Sequence, residues 1–153
     1  MKKQKKIIGI LGGMGPQASA KLVQILVDLS AREFGAKNND DFPEIVLDSF
    51  PHPDFISSKE NSKIVVNMLK KRISKMEQMN VSIFALACNT AHIMLGKLQK
   101  SSKKPFVSMI EEVAKQVSNC GVARVGLLAS PTTFKSGLSQ EALGPERIVY
   151  ETI

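Results

Sequence analysis

Two patterns of apolar positions alternate along the chain. Short apolar runs that end in glycine or polar residues are typical of buried strands, and apolar positions that repeat every three to four residues are typical of helices. The predicted strands are, in chain order, KIIGILGG, EIVLDSF, VSIFALA, KPFVSMI, ARVGLLAS and RIVYETI. Helices are predicted from Pro16, between the second and third strands, after Asn89 to about Gln99, in EEVAKQVSN, and from Pro131 to Ala142.

This order of elements predicts an α/β fold, a parallel sheet with helices on both faces. The chain has 153 residues, 43% of them hydrophobic, which is enough for a buried core, so a single domain over residues 1–153 is expected. Ligands of such sheets bind beyond the carboxyl ends of the strands. The segments GGMG, DSFP, ACNT and ASPTT fall at that edge and predict the position of a site.

Composition and charge narrow the classes of partner. The net charge is +7, but the lysines are scattered, and one tyrosine with no tryptophan offers little base stacking, so no nucleic-acid partner is expected. No apolar run approaches the roughly 18–20 residues of a membrane span, so no membrane partner is expected. Cys88 and Cys120 form no CxxC pair and no metal-ligand set, which predicts a cytoplasmic protein with free thiols and no metal.

Cys88 is the candidate catalytic residue. It follows the apolar run 83–87 and precedes Asn89 and Thr90, which are good N-cap residues for the next helix. We expect the helix dipole and nearby unpaired N–H groups to lower the pKa of this thiol, because both favour the thiolate. The alternative is a small core residue, and the local pattern does not choose between the two.

Several segments in combination resemble the aspartate/glutamate racemase family: GILGGMGPQAS, ACNTAH, PFVSMIEE, and VGLLAS with TFKSGL. They occur in order from Ile7 to about Gln140. The resemblance implies racemisation of an acidic amino acid, aspartate or glutamate, without a cofactor. It also implies that Cys88 exchanges the Cα proton on one face while a second cysteine serves the other face, because inversion needs a base and an acid on opposite sides.

The resemblance implies substrate-binding roles for six further residues. Asn89 and Thr90 match residues that hold the substrate carboxylate, and Ser130 and Thr133 match a loop resembling T-x-x-T. Met14 matches the first-strand loop, and Ser49 lies where the second strand delivers a polar residue. The implied substrate-binding residues are Met14, Ser49, Asn89, Thr90, Ser130 and Thr133.

The second half of the chain departs from the family pattern. The family has two similar α/β lobes, and its second cysteine lies late in the second lobe in a GCTE-like segment, which this sequence lacks. Cys120 precedes the fifth strand, at the opposite side of the sheet from Cys88, and is expected to be structural. We therefore expect an incomplete second lobe, weak or absent racemase activity, and self-association into a homo-oligomer through exposed sheet edges and helix faces.

Two other functions stay open at this point. One is a degenerate protein that binds an acidic amino acid without inverting it. The other is a hydrolase, because Cys88 and His92 are spaced as thiol and imidazole on one helix face. Against the hydrolase, His92 is expected at a helix surface or the edge of the core. His52, in the PHPD loop, is expected to be a solvated residue rather than a ligand.

Overall fold

The fold is described from a computed structural model that covers residues 6–56 and 58–144 and the backbone of residues 148–149. The strands are β1 (Ile7–Gly12), β2 (Glu44–Ser49), β3 (Val81–Leu86), β4 (Phe106–Val107), β5 (Val125–Gly126) and β6 (Ile148–Val149). The α-helices are α1 (Pro16–Phe34), α2 (Lys59–Gln78), α3 (Leu95–Gln99), α4 (Met109–Asn119), α5 (Pro131–Ser136) and α6 (Leu138–Leu143). Two 3-10 helices cover Asn39–Asp41 and Thr90–Met94.

The main sheet is parallel and has the strand order β2-β1-β3-β4. Its register places Leu11 of β1 beside Asp48 of β2 on one side and Leu86 of β3 on the other. Parallel pairing through helical connections brings the carboxyl ends of the strands to one edge. The predicted parallel sheet is therefore confirmed.

Helices cover both faces of this sheet. Neighbouring residues of a strand point to opposite faces. Leu47 lies on the same face as Ser19 of α1, because a Cβ atom built on Gly12 would contact both side chains. The next residue, Asp48, binds Arg72 of α2. The helices α1 and α2 therefore lie on opposite faces, as the sequence predicts.

The hydrophobic core lies mainly between the sheet and α2. The stripe predicted on α2 is buried, with Val65, Leu69 and Ile73 fully excluded from solvent. It packs in one cluster with the strand residues Leu11, Val81, Phe84 and Leu86. By contrast, the buried residues of α1 are the polar Ser19 and Ser30. The face of the sheet under α1 is thus the more open one.

Several elements after Cys88 differ from those predicted. The helix expected from residue 90 to about 99 begins as the 3-10 helix Thr90–Met94. The helix expected from Pro131 to Ala142 is two helices, because Gly137 adopts the left-handed conformation (φ 73°) that ends α5. The fifth predicted strand does not extend the main sheet, since β5 pairs with β6 in a separate sheet. Residues 147 and 150–153 of the last predicted strand lie outside the described residues.

The last helices pack back onto the main sheet region. Helix α6 contacts α4, and α5 contacts the 3-10 helix Thr90–Met94. Among the residues that the structure describes, no helix is long and apolar enough to cross a membrane.

Candidate active site

The carboxyl ends of β1, β2 and β3 meet at the edge where the sequence predicted a site. Gly12 pairs with Ser49, and the Ala87 N–H donates to the Leu11 carbonyl at 3.0 Å, so Cys88 follows directly beyond the end of β3. Adjacent strands lie roughly 5 Å apart, which places Ser49 about 10 Å across the sheet from the strand of Cys88. The side chain of Ser49 is exposed.

The glycine turn after β1 is packed tightly. Ser19 is fully buried, and its hydroxyl accepts from the Gly13 N–H at 3.2 Å and donates to the Gly15 carbonyl at 3.4 Å. Gly13 has a φ of 88°, and a Cβ atom there would overlap the Phe50 carbonyl oxygen. Ser19 was not among the predicted site residues, although a small polar residue in the first helical turn after a glycine loop is a signal that could have identified it.

Met14 follows these glycines, but its side chain is part of the buried core cluster. It belongs to the same cluster as Phe50 and Phe55 and is only 7% exposed. Met14 is therefore a weaker candidate for direct contact with a polar ligand than the sequence implied.

Burial of the Cys88 thiol raises its pKa, contrary to the expectation from sequence. Cys88 is half-buried against the core cluster, and desolvation penalises the thiolate. Hydrogen bonds from the backbone N–H groups of Ala91 and Thr90 lower the pKa by less than burial raises it. The sequence-based expectation assumed a full α-helix start, whereas a short 3-10 helix follows Cys88.

Asn89 stands at the N-cap position without acting as a cap. Its backbone is helical (φ −62°, ψ −50°), and its side chain makes no capping hydrogen bond. An N-cap needs an extended backbone to reach the first free N–H groups, so the capping role expected for Asn89 is wrong. Its exposed carboxamide lies next to Cys88 in the chain instead.

Three hydroxyl groups from distant parts of the chain form a mutually hydrogen-bonded set, the hydroxyl triangle of Thr90, Ser130 and Thr133. Thr90 Oγ1 lies 2.7 Å from Thr133 Oγ1 and 3.3 Å from Ser130 Oγ, and the last two lie 2.9 Å apart. Ser130 also caps α5, because its Oγ accepts from the Thr133 N–H. The structure thus brings three of the six predicted binding residues together, next to the Cys88 turn.

Cys120 lies away from this set. It is the C-cap residue of α4, a helix of 11 residues that starts just beyond the end of β4 and carries Cys120 about 16 Å from that edge. Its side chain is exposed, so Cys120 does not pack in the core, and its expected structural role stays a prediction.

His92 is buried and has both ring nitrogens bound to the backbone. The Met109 N–H donates to Nε2 at 3.1 Å, so Nε2 carries no proton, and Nδ1–H donates to the Cys88 carbonyl at 2.9 Å. No ring nitrogen remains to accept the Cys88 thiol proton. This geometry removes the thiol–imidazole pair on which the hydrolase alternative depends.

His52 is not the solvated loop residue that was expected. Its ring is half-buried between Phe50 and Phe55, with centroids 5.7 and 5.5 Å away, and Nδ1 contacts the Pro53 carbonyl at 2.8 Å. Among the described residues no group of three or more His, Cys, Asp or Glu side chains is placed to hold a metal ion.

An ion pair that was not predicted lies at the end of β2. Arg72 Nη1 lies 2.6 and 2.8 Å from the two carboxylate oxygens of Asp48, and Arg72 Cζ lies 3.9 Å from the centre of the Phe50 ring. An arginine on α2 therefore fixes the segment that leaves β2. The number of residues between Asp48 and Arg72 does not predict that the two side chains will pair.

A cavity of about 610 Å³ lies between α3, α4 and α6, beside His92 and Ser108. Its lining does not include Cys88 or the hydroxyl triangle. The cavity and the cluster formed by Cys88 and the hydroxyl triangle thus lie at different places. The cluster at the strand ends is the better candidate for the active site, because the thiol and the hydroxyl groups lie there.

Comparison with known proteins gives one consistent family. Residues 11–146 match the Asp/Glu/Hydantoin racemase family. The broad specificity amino-acid racemase RacX of Bacillus subtilis (strain 168) is 30% identical over 141 residues, which cover 90% of this chain and 60% of RacX.

Solved structures show the same fold. An aspartate racemase homologue from Pyrococcus horikoshii superposes with a TM-score of 0.80 at 25% identity, covering 97% of this chain and 65% of that one. The Picrophilus torridus aspartate racemase gives 0.74 at 29% identity, covering 94% and 60%. The chain thus spans about 60–65% of the length of these relatives.

Proposed function

We propose that this chain, which belongs to the Asp/Glu/Hydantoin racemase family, racemises an acidic amino acid, aspartate or glutamate, by proton transfer at Cα without a cofactor. The observation that carries the proposal is the position of Cys88 beyond the end of β3, two residues before the first member of the hydroxyl triangle. Removal of the Cα proton needs a base next to hydrogen-bond donors that stabilise the developing negative charge.

In the proposed step the Cys88 thiolate forms an S–H bond with the Cα hydrogen. The electron pair of the broken C–H bond stays on Cα and spreads into the carboxylate. Because this Cα–H is a very weak acid, the developing charge must be stabilised by donors already in place. The hydroxyl triangle and the exposed Asn89 carboxamide support this role.

The hydroxyl triangle would have to open for a carboxylate to bind. Each hydroxyl has one hydrogen, and the contacts among Thr90, Ser130 and Thr133 occupy hydroxyl donors within the set. We propose that the carboxylate takes over at least one of these donors. The Ser130 hydroxyl is the best placed, since Ser130 is less buried than Thr90 and Thr133.

Inversion also needs an acid on the opposite face of Cα, and the two cysteines of this sequence do not supply it together. Cys120 is exposed at the far end of α4. A proton that Cys88 itself returns restores the starting enantiomer. Losing a positioned acid costs on the order of 10²–10⁴ in rate, so this chain should exchange the Cα hydrogen faster than it inverts the centre.

The proposal also covers the substrate, the cellular location and self-association. A chain with a net charge of +7 suits an anionic substrate, and the Picrophilus torridus relative is named as an aspartate racemase, while RacX is named as broad in specificity. Two free cysteines support a reducing, cytoplasmic location. Exposed apolar side chains such as Phe34 and Leu128 support self-association.

The test is incubation with each enantiomer of aspartate and glutamate in D₂O, following Cα deuterium by NMR and optical purity by chiral chromatography. Neutral and basic amino acids form a second panel. We expect deuterium uptake that Cys88→Ala abolishes, with inversion slower by the factor above. The matched control is Cys120→Ala, which removes the exposed thiol and should leave the exchange unchanged.

Three results would contradict the proposal. Exchange that survives Cys88→Ala would remove Cys88 from the chemistry. Exchange confined to neutral or basic amino acids would overturn the acidic substrate. Binding of aspartate or glutamate with no exchange would favour the degenerate binding protein.

A further inference from the structure

We propose that His92 is a positioning residue whose neutral imidazole holds the Cys88 turn against the start of α4, so that the backbone N–H groups of Thr90 and Ala91 stay directed at the Cys88 sulfur. The inference rests on the proposed role of Cys88. It gives a function to a buried histidine that the proton-transfer step does not use.

The hydrogen bonds of His92 join two segments of the chain. Nδ1–H donates to the carbonyl of Cys88 at 2.9 Å, and Nε2 accepts from the N–H of Met109, the first residue of α4, at 3.1 Å. The His92 residue is only 4% exposed, so water does not compete well for either bond. One side chain therefore sets the distance between the turn and α4.

One protonation state fits both contacts. A backbone N–H at Nε2 requires a lone pair there, and a neutral imidazole then carries its single hydrogen on Nδ1. That hydrogen points at the Cys88 carbonyl. The opposite tautomer would set two N–H groups against each other at Met109 and two lone pairs against each other at Cys88. The geometry selects the Nδ1–H tautomer.

The consequence for Cys88 follows from its backbone. Fixing the Cys88 carbonyl fixes the peptide plane that begins the turn, and the N–H groups of Thr90 and Ala91 hydrogen-bond the sulfur from that turn. These hydrogen bonds oppose the effect of burial on the thiol. If the turn relaxed, the thiolate would lose donors while remaining half-buried.

Two substitutions separate the two ends of the imidazole. In His92→Asn the carboxamide N–H occupies a position like that of Nδ1, which keeps the donor to Cys88 and loses Met109. In His92→Gln the carbonyl oxygen reaches towards the position of Nε2, which keeps the acceptor for Met109 and loses the donor to Cys88. Both variants are made in a Cys120→Ser background so that Cys88 is the reporting thiol, and His52→Asn is the control histidine change.

The readout is the rate of Cys88 alkylation against pH, together with the ultraviolet absorbance of the thiolate, measured where each variant is folded. We expect His92→Gln to raise the pKa of Cys88 and to slow alkylation at neutral pH by roughly three- to tenfold, the equivalent of one lost hydrogen bond. His92→Asn should stay closer to the parent, and His52→Asn should match it.

Two outcomes of this series overturn the proposal. Equal thiol pKa values in all variants, with only stability reduced, would mean that His92 is a packing residue. Faster alkylation in His92→Gln would mean that the imidazole merely shields the sulfur.

A measurement on the unmodified protein covers the case in which the variants do not fold. Nitrogen-15 NMR of the histidine rings should show His92 as the Nδ1–H tautomer at neutral pH. The Nε2–H tautomer or an imidazolium would overturn the proposal. Neither readout needs turnover, so failure of the deuterium-exchange assay and failure of the His92 proposal are separate results.

Discussion

The two parts of the molecule that meet at the candidate site are packed in different ways. The sheet region, residues 6–119, contains the whole hydrophobic core cluster, built from β1, β3, α2, α3, the 3-10 helix Thr90–Met94 and the loops after β1 and β2. In the C-terminal region, residues 120–144, the buried residues are Thr133 and Ser139, both polar. Leu128 in that region is 77% exposed. One side of the site rests on apolar packing and the other on polar contacts.

This difference bears on how the site is assembled. Cys88 and Thr90 belong to the sheet region, whereas Ser130 and Thr133 belong to the C-terminal region. Burying one large apolar side chain contributes about 1.5–3 kcal/mol, while a neutral hydrogen bond contributes about 1 kcal/mol net. The proposed base therefore has a firmer support than two of the three hydroxyls expected to hold the carboxylate.

The largest difference should appear when a leucine is truncated in each region. Leu69 in α2 is fully buried in the core cluster, and Leu69→Ala should lower the free energy of unfolding by about 2–5 kcal/mol through lost burial and a residual cavity. Leu128→Ala, the matched control, should change it by no more than about 0.5 kcal/mol. Urea unfolding followed by circular dichroism measures both. Similar losses in the two variants would contradict the contrast between the regions.

The same contrast explains which parts of the fold could be predicted from sequence. In the sheet region the periodicity of α2 and the apolar runs of β1 and β3 reflect burial directly. The positions of these strands along the sequence and the buried face of α2 were therefore predicted correctly. In the C-terminal region few residues are buried, and the apolar pattern carries less information. Gly137 was predicted to lie inside one helix, because the sequence does not show whether a single glycine adopts the left-handed conformation that ends a helix.

The position of the candidate site could be predicted from the sequence, whereas the pKa of its thiol could not. The ends of the strands follow from the α/β order, and the resemblance named Thr90, Ser130 and Thr133, which the structure brings together. The direction of the Cys88 pKa shift was wrong, because it depends on how deeply the thiol is buried. The bonds of His92 depend on Met109, 17 residues away, which spacing within one helix cannot reveal.

The next effect in size concerns the contact between the two regions. Thr133 is 2% exposed, and Thr133→Val keeps its shape while removing the hydroxyl that contacts Thr90 and Ser130. We expect a loss of about 1–2 kcal/mol in the free energy of unfolding, because two hydroxyl partners lose a hydrogen bond.

Thr132→Val is the control for this change, since Thr132 is less buried and lies next to Thr133 in α5. It should have little effect on urea unfolding. If Thr133→Val were as mild as its control, the C-terminal region would not be coupled to the sheet region through the hydroxyl triangle. Native-state hydrogen exchange of the α5 amides would then show opening that is independent of the sheet.

The smallest effect to be measured is the difference in reactivity between the two thiols, one in each region. Cys120 is exposed, whereas Cys88 is half-buried and its pKa is raised by that burial. A raised pKa leaves less thiolate at neutral pH, and the thiolate is the reactive form. Iodoacetamide should therefore modify Cys120 faster than Cys88 near pH 7. The rate at Cys88 should keep rising with pH beyond the ordinary thiol range, because its thiolate forms only at higher pH.

Cys120→Ser and Cys88→Ser isolate each thiol for mass spectrometry. Faster modification of Cys88 at pH 7 would show that the hydrogen bonds from Thr90 and Ala91 outweigh burial, and that the sheet region already holds the proposed base as a thiolate.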